Sequence, residues 1–471
     1  VIGSGPNGLA AAVALAQAGL RVEVFEAQPT AGGAARTLPL TLPGFRHDFG
    51  SAVHPLAAGS PFFQTLPLAA HGLRWLHHPC PLAHPLDDGT AVTLERDLGE
   101  AAEALGVDGQ AWRRLMEPFV ENWPAFAAEV LGPPLHLPRS PLLLARFGVF
   151  ALAPAQALAN ALFRSPRTRA LFAGLAAHSF LSLSSPLSAA VGIVLGAATH
   201  AVGWPIPEGG AQSITDALLG VLAAHGGTVH TGTRIDSLDK RSSTGERFAG
   251  DAVTMCDVSP GQLLALAWRR LPEAYRRTLA RFQPGPAAFK IDYALSEPIP
   301  WRATACRRAS TVHLGGTLEE VAQSESNMRR GIISERPFVL LAQPTLADPT
   351  RAPAGRHIAW AYCHLPRGSA IDATARIEAQ IERFAPGFGE CVLARAVSTP
   401  STLEARDANL AGGDITGGAM TLAQTLFRPT RRGYATPDRR LFLCSASTPP
   451  GAGVHGMCGF HAAEAALRWL R

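Results

Sequence analysis

Apolar positions along this chain follow a strand-like alternation at some points and a helical spacing at others, and the order of the two predicts its elements. The opening run VIGSGPNGLAAAVALAQAGLRVEVFE has two apolar residues, a glycine turn, an apolar helical stretch closed by Gly19, and an alternating stretch that ends at Glu26. A buried strand usually runs about five residues, so further residues are expected upstream of Val1. The run GWPIPEGGAQSITDALLGVLAAHGGTVHTGTRIDSL predicts a turn, a helix stopped by Gly226 and Gly227, and another strand. Near the C-terminus RRLFLCSAS predicts a strand and MCGFHAAEAALRWL a helix. In AIDATARIEAQIERFAPGF, Ile377, Ile381 and Phe384 share one helical face until Pro386 ends it. In PAAFKIDYALSEPIPW, Lys290 and Asp292 alternate with Phe289, Ile291, Tyr293 and Leu295, as in a strand with one exposed face.

The first strand, turn and helix carry chemistry. Gly3, Gly5 and Gly8 stand at G-x-G-x-x-G spacing between strand and helix, and Glu26 ends the next strand 23 residues after Gly3. Gly3 permits the tight turn, Gly5 lets backbone approach a pyrophosphate, Gly8 lets helix and strand pack, and the helix N-terminus favours the anion. An acid at the tip of the second strand suits ribose hydroxyls. EAQPTAGGAART follows, where Gly32 and Gly33 give a second close backbone approach and Arg36 a guanidinium for phosphates. This extension favours FAD over NAD. A second G-x-G-x-x-G, at Gly451, Gly453 and Gly456, leaves only 15 residues after it, too few for a second nucleotide-binding unit. HLGGTLEE and LAGGDITGGAM lack the spacing and read as ordinary turns.

This combination resembles the flavin amine oxidase and phytoene desaturase superfamily, and the C-terminal run from Gly412 to Gly459 resembles its phytoene-desaturase-related branch. The resemblance implies an α/β fold: a discontinuous Rossmann-like FAD-binding domain of residues 1–79, 204–264 and 409–471, with an interleaved α+β substrate domain of residues 80–203 and 265–408. It implies that the C-terminal turn, with Gly453, Val454 and Gly456, closes the FAD site against the flavin ring, and that Ile235 contacts the adenine end. DKRSSTGERFAGD, where the superfamily has a longer hairpin, reads as a mobile loop. Lys290 matches a lysine that holds a water at the flavin in amine oxidases of the superfamily, with Trp301 following at similar distance, and is the first catalytic candidate. His455, inside the flavin-facing turn, is the second. His54 follows a turn near the flavin in the resemblance, whereas His178 reads as a satisfied core histidine.

Composition narrows the classes. With 471 residues, 47% of them hydrophobic, two or three packing units are expected. The net charge of +5 comes from scattered arginines, without a basic block or interleaved aromatics, which excludes a nucleic-acid partner. Seven cysteines, odd in number and without a C-x-x-C pair, predict buried thiols, no dithiol centre and no metal site. No signal peptide is visible, so the expected location is cytoplasmic. Residues 170–207 contain no Asp, Glu, Lys or Arg, but Pro186 and polar residues interrupt them, and buried helices beside the flavin are expected. SPLLLARFGVFALAPAQALANALF suits either a bilayer interface or a core helix kinked at Pro154.

The expected activity is FAD-dependent oxidation of a small apolar substrate, a polyene or isoprenoid, by hydride transfer, with oxygen or a quinone as external acceptor and room for peripheral membrane contact. The alternatives are a flavin amine oxidase, for which no aromatic cage is evident, a flavin-dependent carotenoid isomerase, and a binding module like the GDP-dissociation inhibitors.

Overall fold

The computed structural model describes residues 1–239, 248 and 252–471. The stretch expected to be a mobile loop therefore lies outside the described residues except for Asp239 and Phe248.

A parallel sheet forms the first layer. Thr228–His230 pairs with Glu23–Phe25, Ile2 bridges Phe25 and Cys256, and Thr254–Cys256 pairs with Leu441–Leu443. Val24, Met255, Cys256 and Leu441 have no exposed surface, because a parallel sheet is covered on both faces. Helices Pro6–Gln17, Gln212–Ala224 and Met457–Leu470 supply buried apolar faces. The first helix starts with proline in its opening turn, where no intrahelical partner is lost, and ends before Gly19 at φ +84°. It lies close against the last helix: a Cβ on Gly459 would stand 1.8 Å from the Asn7 carbonyl oxygen. The two N-termini are thus brought side by side.

A second, seven-stranded sheet has the order Val392–Ser398, Ala287–Leu295, His357–Leu365, Val339–Ala342, Ala309–Leu314, Cys80–Pro85, Ala91–Leu94. Only the pairing of Ala309–Leu314 with Cys80–Pro85 is parallel. Strand Ala287–Leu295 is interior and buried along its whole length. The expectation of one exposed face is overturned here: Phe289, Ile291 and Tyr293 pack on a core that includes Phe384 and Phe388, while Lys290 and Asp292 face other buried groups. Helix Thr374–Phe384 forms as expected, with Ile377, Ile381 and Phe384 buried.

The uncharged stretch folds into the second half of helix Pro166–Ala177 and into helix Ser188–Val202, both helices largely buried. Upstream, helices Pro141–Ala151 and Ala155–Leu162 meet at a 99° bend, and among the described residues no single helix is long and apolar enough to cross a membrane. The kink at Pro154 is present, but only Ala151 of the first helix is buried, whereas Ala155, Leu158 and Ala159 of the second are.

Candidate functional site

The glycine turn after Ile2 is built to its spacing. Gly3 has φ +90°, and a Cβ there would approach the Asp257 carbonyl oxygen to 2.7 Å. A Cβ on Gly5 would come 2.7 Å from Asp257 Oδ2, and one on Gly8 would come 2.3 Å from the Gly3 carbonyl oxygen. The Glu26 carboxylate, at the end of the adjacent strand, accepts from the Ser4 N–H at 3.0 Å and the Ser4 hydroxyl at 2.6 Å, and from the Gln28 N–H at 2.8 Å. The Gly32–Gly33 turn sits on the first one: the Gly32 N–H donates to Ser4 Oγ at 3.2 Å, and a Cβ on Gly33 would lie 3.1 Å from Gly5 Cα. Arg36 is held by donating to the Gly33 carbonyl at 2.6 Å and the Arg406 carbonyl at 2.8 Å, over the Phe49 ring.

These parts border one cleft of about 1060 Å³. Gly3, Gly5, Glu26, Gly33 and Arg36 line it toward the first turn, and Ile235, Lys290, Gly453 and Val454 elsewhere. Gly8, Gly32 and Gly456 are not on its wall. They permit close packing instead: a Cβ on Gly456 would meet the Phe63 ring at 2.4 Å and Ala10 Cβ at 2.9 Å. His455, the second catalytic candidate, also lies off the wall. The N-cap Gly456 has no side chain, and buried His455 Nδ1 accepts the Met457 N–H at 3.0 Å in its place. Burial pushes His455 down to about 4, so the ring is a neutral acceptor.

The cleft suits a dinucleotide. Its volume exceeds the range that encloses a drug-sized ligand, and it has two backbone turns, two adjacent helix N-termini, a buried guanidinium and a carboxylate at a strand tip. Asp257 faces the first turn and accepts the Gly8 N–H at 2.9 Å. Burial raises Asp257 to about 7, so it does not impose a full negative charge on a phosphate at neutral pH or below, and burial raises Asp407 as well.

Lys290 brings charge to the inner part of the cleft. Its Nζ donates to the Asp48 carbonyl at 2.8 Å and to Asp292 Oδ2 at 2.5 Å, and lies 5.7 Å from the centre of the Trp360 ring. Burial lowers Lys290 and raises Asp292 to about 6, opposed in both by the attraction between them. Asp48 is in turn paired with buried Arg351 at 2.9 Å. Trp301 is elsewhere, in the sheet core, donating to Gln343 at 2.9 Å. Trp360 takes the place beside Lys290.

Next to the cleft is a smaller pocket of about 150 Å³. Ser51, Trp360, Tyr362, Gly453 and Val454 line both spaces. The rest of the pocket wall is largely apolar, with Leu56, Leu195 and Leu340, and it includes His54 and His178. His178 is therefore not simply a core histidine: its ring is partly buried on the pocket wall, with Nε2 3.0 Å from His313 Nε2. The Trp360 and Tyr362 rings, absent from the sequence reading, stand 5.0 Å apart at 69°. The reading also missed the segment containing Arg406, Asp407, Ile415 and Gly417, which lines the cleft. Its glycine pairs were the available signal: a Cβ on Gly417 would lie 2.6 Å from the Ala446 carbonyl oxygen.

Comparison with known proteins agrees with this architecture. The family of NAD(P)-binding Rossmann-like domains matches residues 1–66. Pyridine nucleotide-disulfide oxidoreductase domain-containing protein 2 of Rattus norvegicus is 28% identical over all of this chain and 93% of its own length. The neurosporene-forming phytoene desaturase of Cereibacter sphaeroides is 29% identical over 28% of this chain and 27% of its own. A redesigned putrescine oxidase shares the fold with a TM-score of 0.62 at 16% identity, covering 99% of this chain and 98% of that one. The chain is similar in sequence to the first two proteins and shares the fold of the putrescine oxidase. The disulfide in the rat protein's name has no counterpart here, since all seven cysteines are buried and free.

Proposed function

We propose that this protein is an FAD-dependent oxidoreductase that takes hydride from a C–H bond of a compact apolar substrate of isoprenoid or polyene type. The supporting observation is the shared wall: a dinucleotide-sized cleft and an apolar pocket meet at Ser51, Trp360, Tyr362, Gly453 and Val454. Bound FAD supplies a two-electron acceptor, reoxidised by an external acceptor such as oxygen or a quinone. In this reading residues 1–79, 204–264 and 409–471 form the cofactor domain and the intervening segments the substrate domain.

The chain's own residues divide the work. Gly3, Gly5 and Gly33 bring backbone to the phosphates, Arg36 offsets their charge, Glu26 receives ribose hydroxyls, and Ile235 borders the adenine end. Gly453 and Val454 present the last helix's N-terminus to the isoalloxazine, where it favours negative charge. Lys290, held by Asp48 and Asp292, positions a water or hydrogen bond at the inner end. The apolar wall excludes water from the reacting carbon.

A cationic amine is the poorer substrate. Among the described residues no carboxylate lines the pocket, and Trp360 and Tyr362 stand edge to face in contact, leaving no slot between two ring faces. The test is the visible spectrum of the purified protein under anaerobic conditions, before and after adding isoprenoids, with and without oxygen substituents, and then amines. Bleaching by the isoprenoids supports the reading. Bleaching by amines alone overturns the substrate class, and absence of flavin favours a binding module.

The reading extends to a membrane surface from which an apolar substrate is drawn. In helix Pro141–Ala151, Leu142 and Val149 lie seven residues apart on one face and are 86% and 73% exposed, with Arg146 between them, and Leu137 just before is 91% exposed. An apolar face edged by arginine suits an anionic bilayer interface.

A further inference from the structure

The pocket is mostly apolar, yet polar side chains stand in its wall, and two of them hold unpartnered atoms behind it. His54 is 2% exposed and its Nε2 has no partner. Trp360 Nε1, on the wall shared with the cleft, has none either. His178 bonds through Nε2 to His313 and, among the described residues, makes no other side-chain hydrogen bond.

The state of His178 follows from its partner. His313 is fully buried on strand Ala309–Leu314, and its Nδ1 has no partner and is crowded by helix Pro166–Ala177, where a Cβ on Gly174 would stand 2.4 Å away. A buried N–H without an acceptor is rarer than a buried lone pair without a donor, so the His313 proton belongs on Nε2. There it donates to His178 Nε2, which leaves the His178 proton on Nδ1. Burial holds both rings neutral, with His178 pushed down to about 3 and His313 well below its ordinary value. His84 fits the same rule, donating from Nε2 to the Gly316 carbonyl at 2.7 Å with an unpaired Nδ1.

We propose that the substrate carries one oxygen, a ketone or alcohol, on its apolar frame, and that His178 binds it by donating from Nδ1. This rests on the reading of the pocket as the substrate site. A pure hydrocarbon filling the pocket would displace water from His178 Nδ1 and leave it unpaired, and a polar group left unpaired is costly. An engineered cavity of about 150 Å³ takes up benzene, so a six-membered ring bearing an oxygen matches the pocket in size as well as in chemistry.

The experiment titrates the flavin-loaded protein with cyclohexenone, cyclohexanol and cyclohexene, following the flavin's visible spectrum and calorimetric heat. The oxygenated ligands are expected to bind about tenfold more tightly than cyclohexene, a difference of one hydrogen bond. His178→Phe is expected to abolish that preference while still binding cyclohexene, and His178→Gln, which keeps a donor, to retain part of it. Equal affinity for all three ligands in the unaltered protein, or a preference that survives His178→Phe, overturns the oxygen assignment alone. Failure of all three to bind overturns the pocket reading beneath it.

Discussion

Lys290 and Asp292 form an ion pair across 2.5 Å on one face of an interior strand, and neither has more than 4% of its side chain exposed. Removing one member of a buried pair strands the other, whereas removing both is far milder. Lys290→Met is therefore expected to cost about 3–5 kcal/mol at alkaline pH, and Lys290→Met combined with Asp292→Asn much less. Burial raises Asp292 to about 6 even with Lys290 opposing it, so without Lys290 the carboxyl titrates higher still, and the single variant's penalty is expected to shrink as pH falls from alkaline values through neutrality and the carboxyl takes a proton. Denaturant unfolding at two pH values checks both statements. The same substitution is expected to slow anaerobic flavin bleaching by about 100-fold, in the range of a lost proton-transfer group.

Asp257 makes the fold without cofactor sensitive to pH. Its folded-state value of about 7 is above that of the unfolded chain, so the folded state binds the extra proton. Stability is expected to fall as pH rises from about 4 to about 7 and then to level off. Asp257→Asn keeps an acceptor for the Gly8 N–H and is expected to flatten that slope, read as Tm against pH. It is also expected to tighten FAD binding at pH 8, where the native carboxylate repels the phosphates.

Arg36 tests the phosphate assignment. Arg36→Ala removes the charge while leaving Gly3, Gly5 and Gly33 in place, and a charged hydrogen bond contributes about 1.5–3 kcal/mol. FAD affinity measured by fluorescence titration is expected to fall about 10- to 100-fold. Unchanged affinity removes Arg36 from the phosphate site.

The exposed face of helix Pro141–Ala151 is expected to direct binding to lipid. Co-sedimentation with anionic vesicles is expected for the native chain and to be lost in Leu142→Glu with Val149→Glu, without loss of Tm, since both side chains are exposed. Equal sedimentation of both proteins contradicts the membrane proposal.

The parts of the site that are local in sequence were legible in it. Gly3, Gly5, Gly8 and Glu26 belong to one strand–turn–helix–strand unit, so their spacing alone announced the turn that the fold contains. Groups that meet across the chain were not. Asp257 reaches Gly8 from 249 positions away and Lys290 reaches Asp48 from 242, and no periodicity encodes those meetings. His178 looked like a core residue because its surroundings in sequence are apolar; its partner His313 lies 135 positions on. The alternation around Lys290 gave the strand but not its burial, because period alone cannot tell a solvated face from one covered by distant parts of the chain.

The central claim is that the cleft bounded by Gly5, Glu26, Arg36 and Val454 holds FAD. The direct measurement is to denature the purified protein, identify the released chromophore by chromatography and mass spectrometry, and titrate the stripped protein with FAD and with NAD. The account predicts released FAD at one per chain and restored binding of FAD in preference to NAD. A stripped protein that binds NAD and not FAD contradicts it.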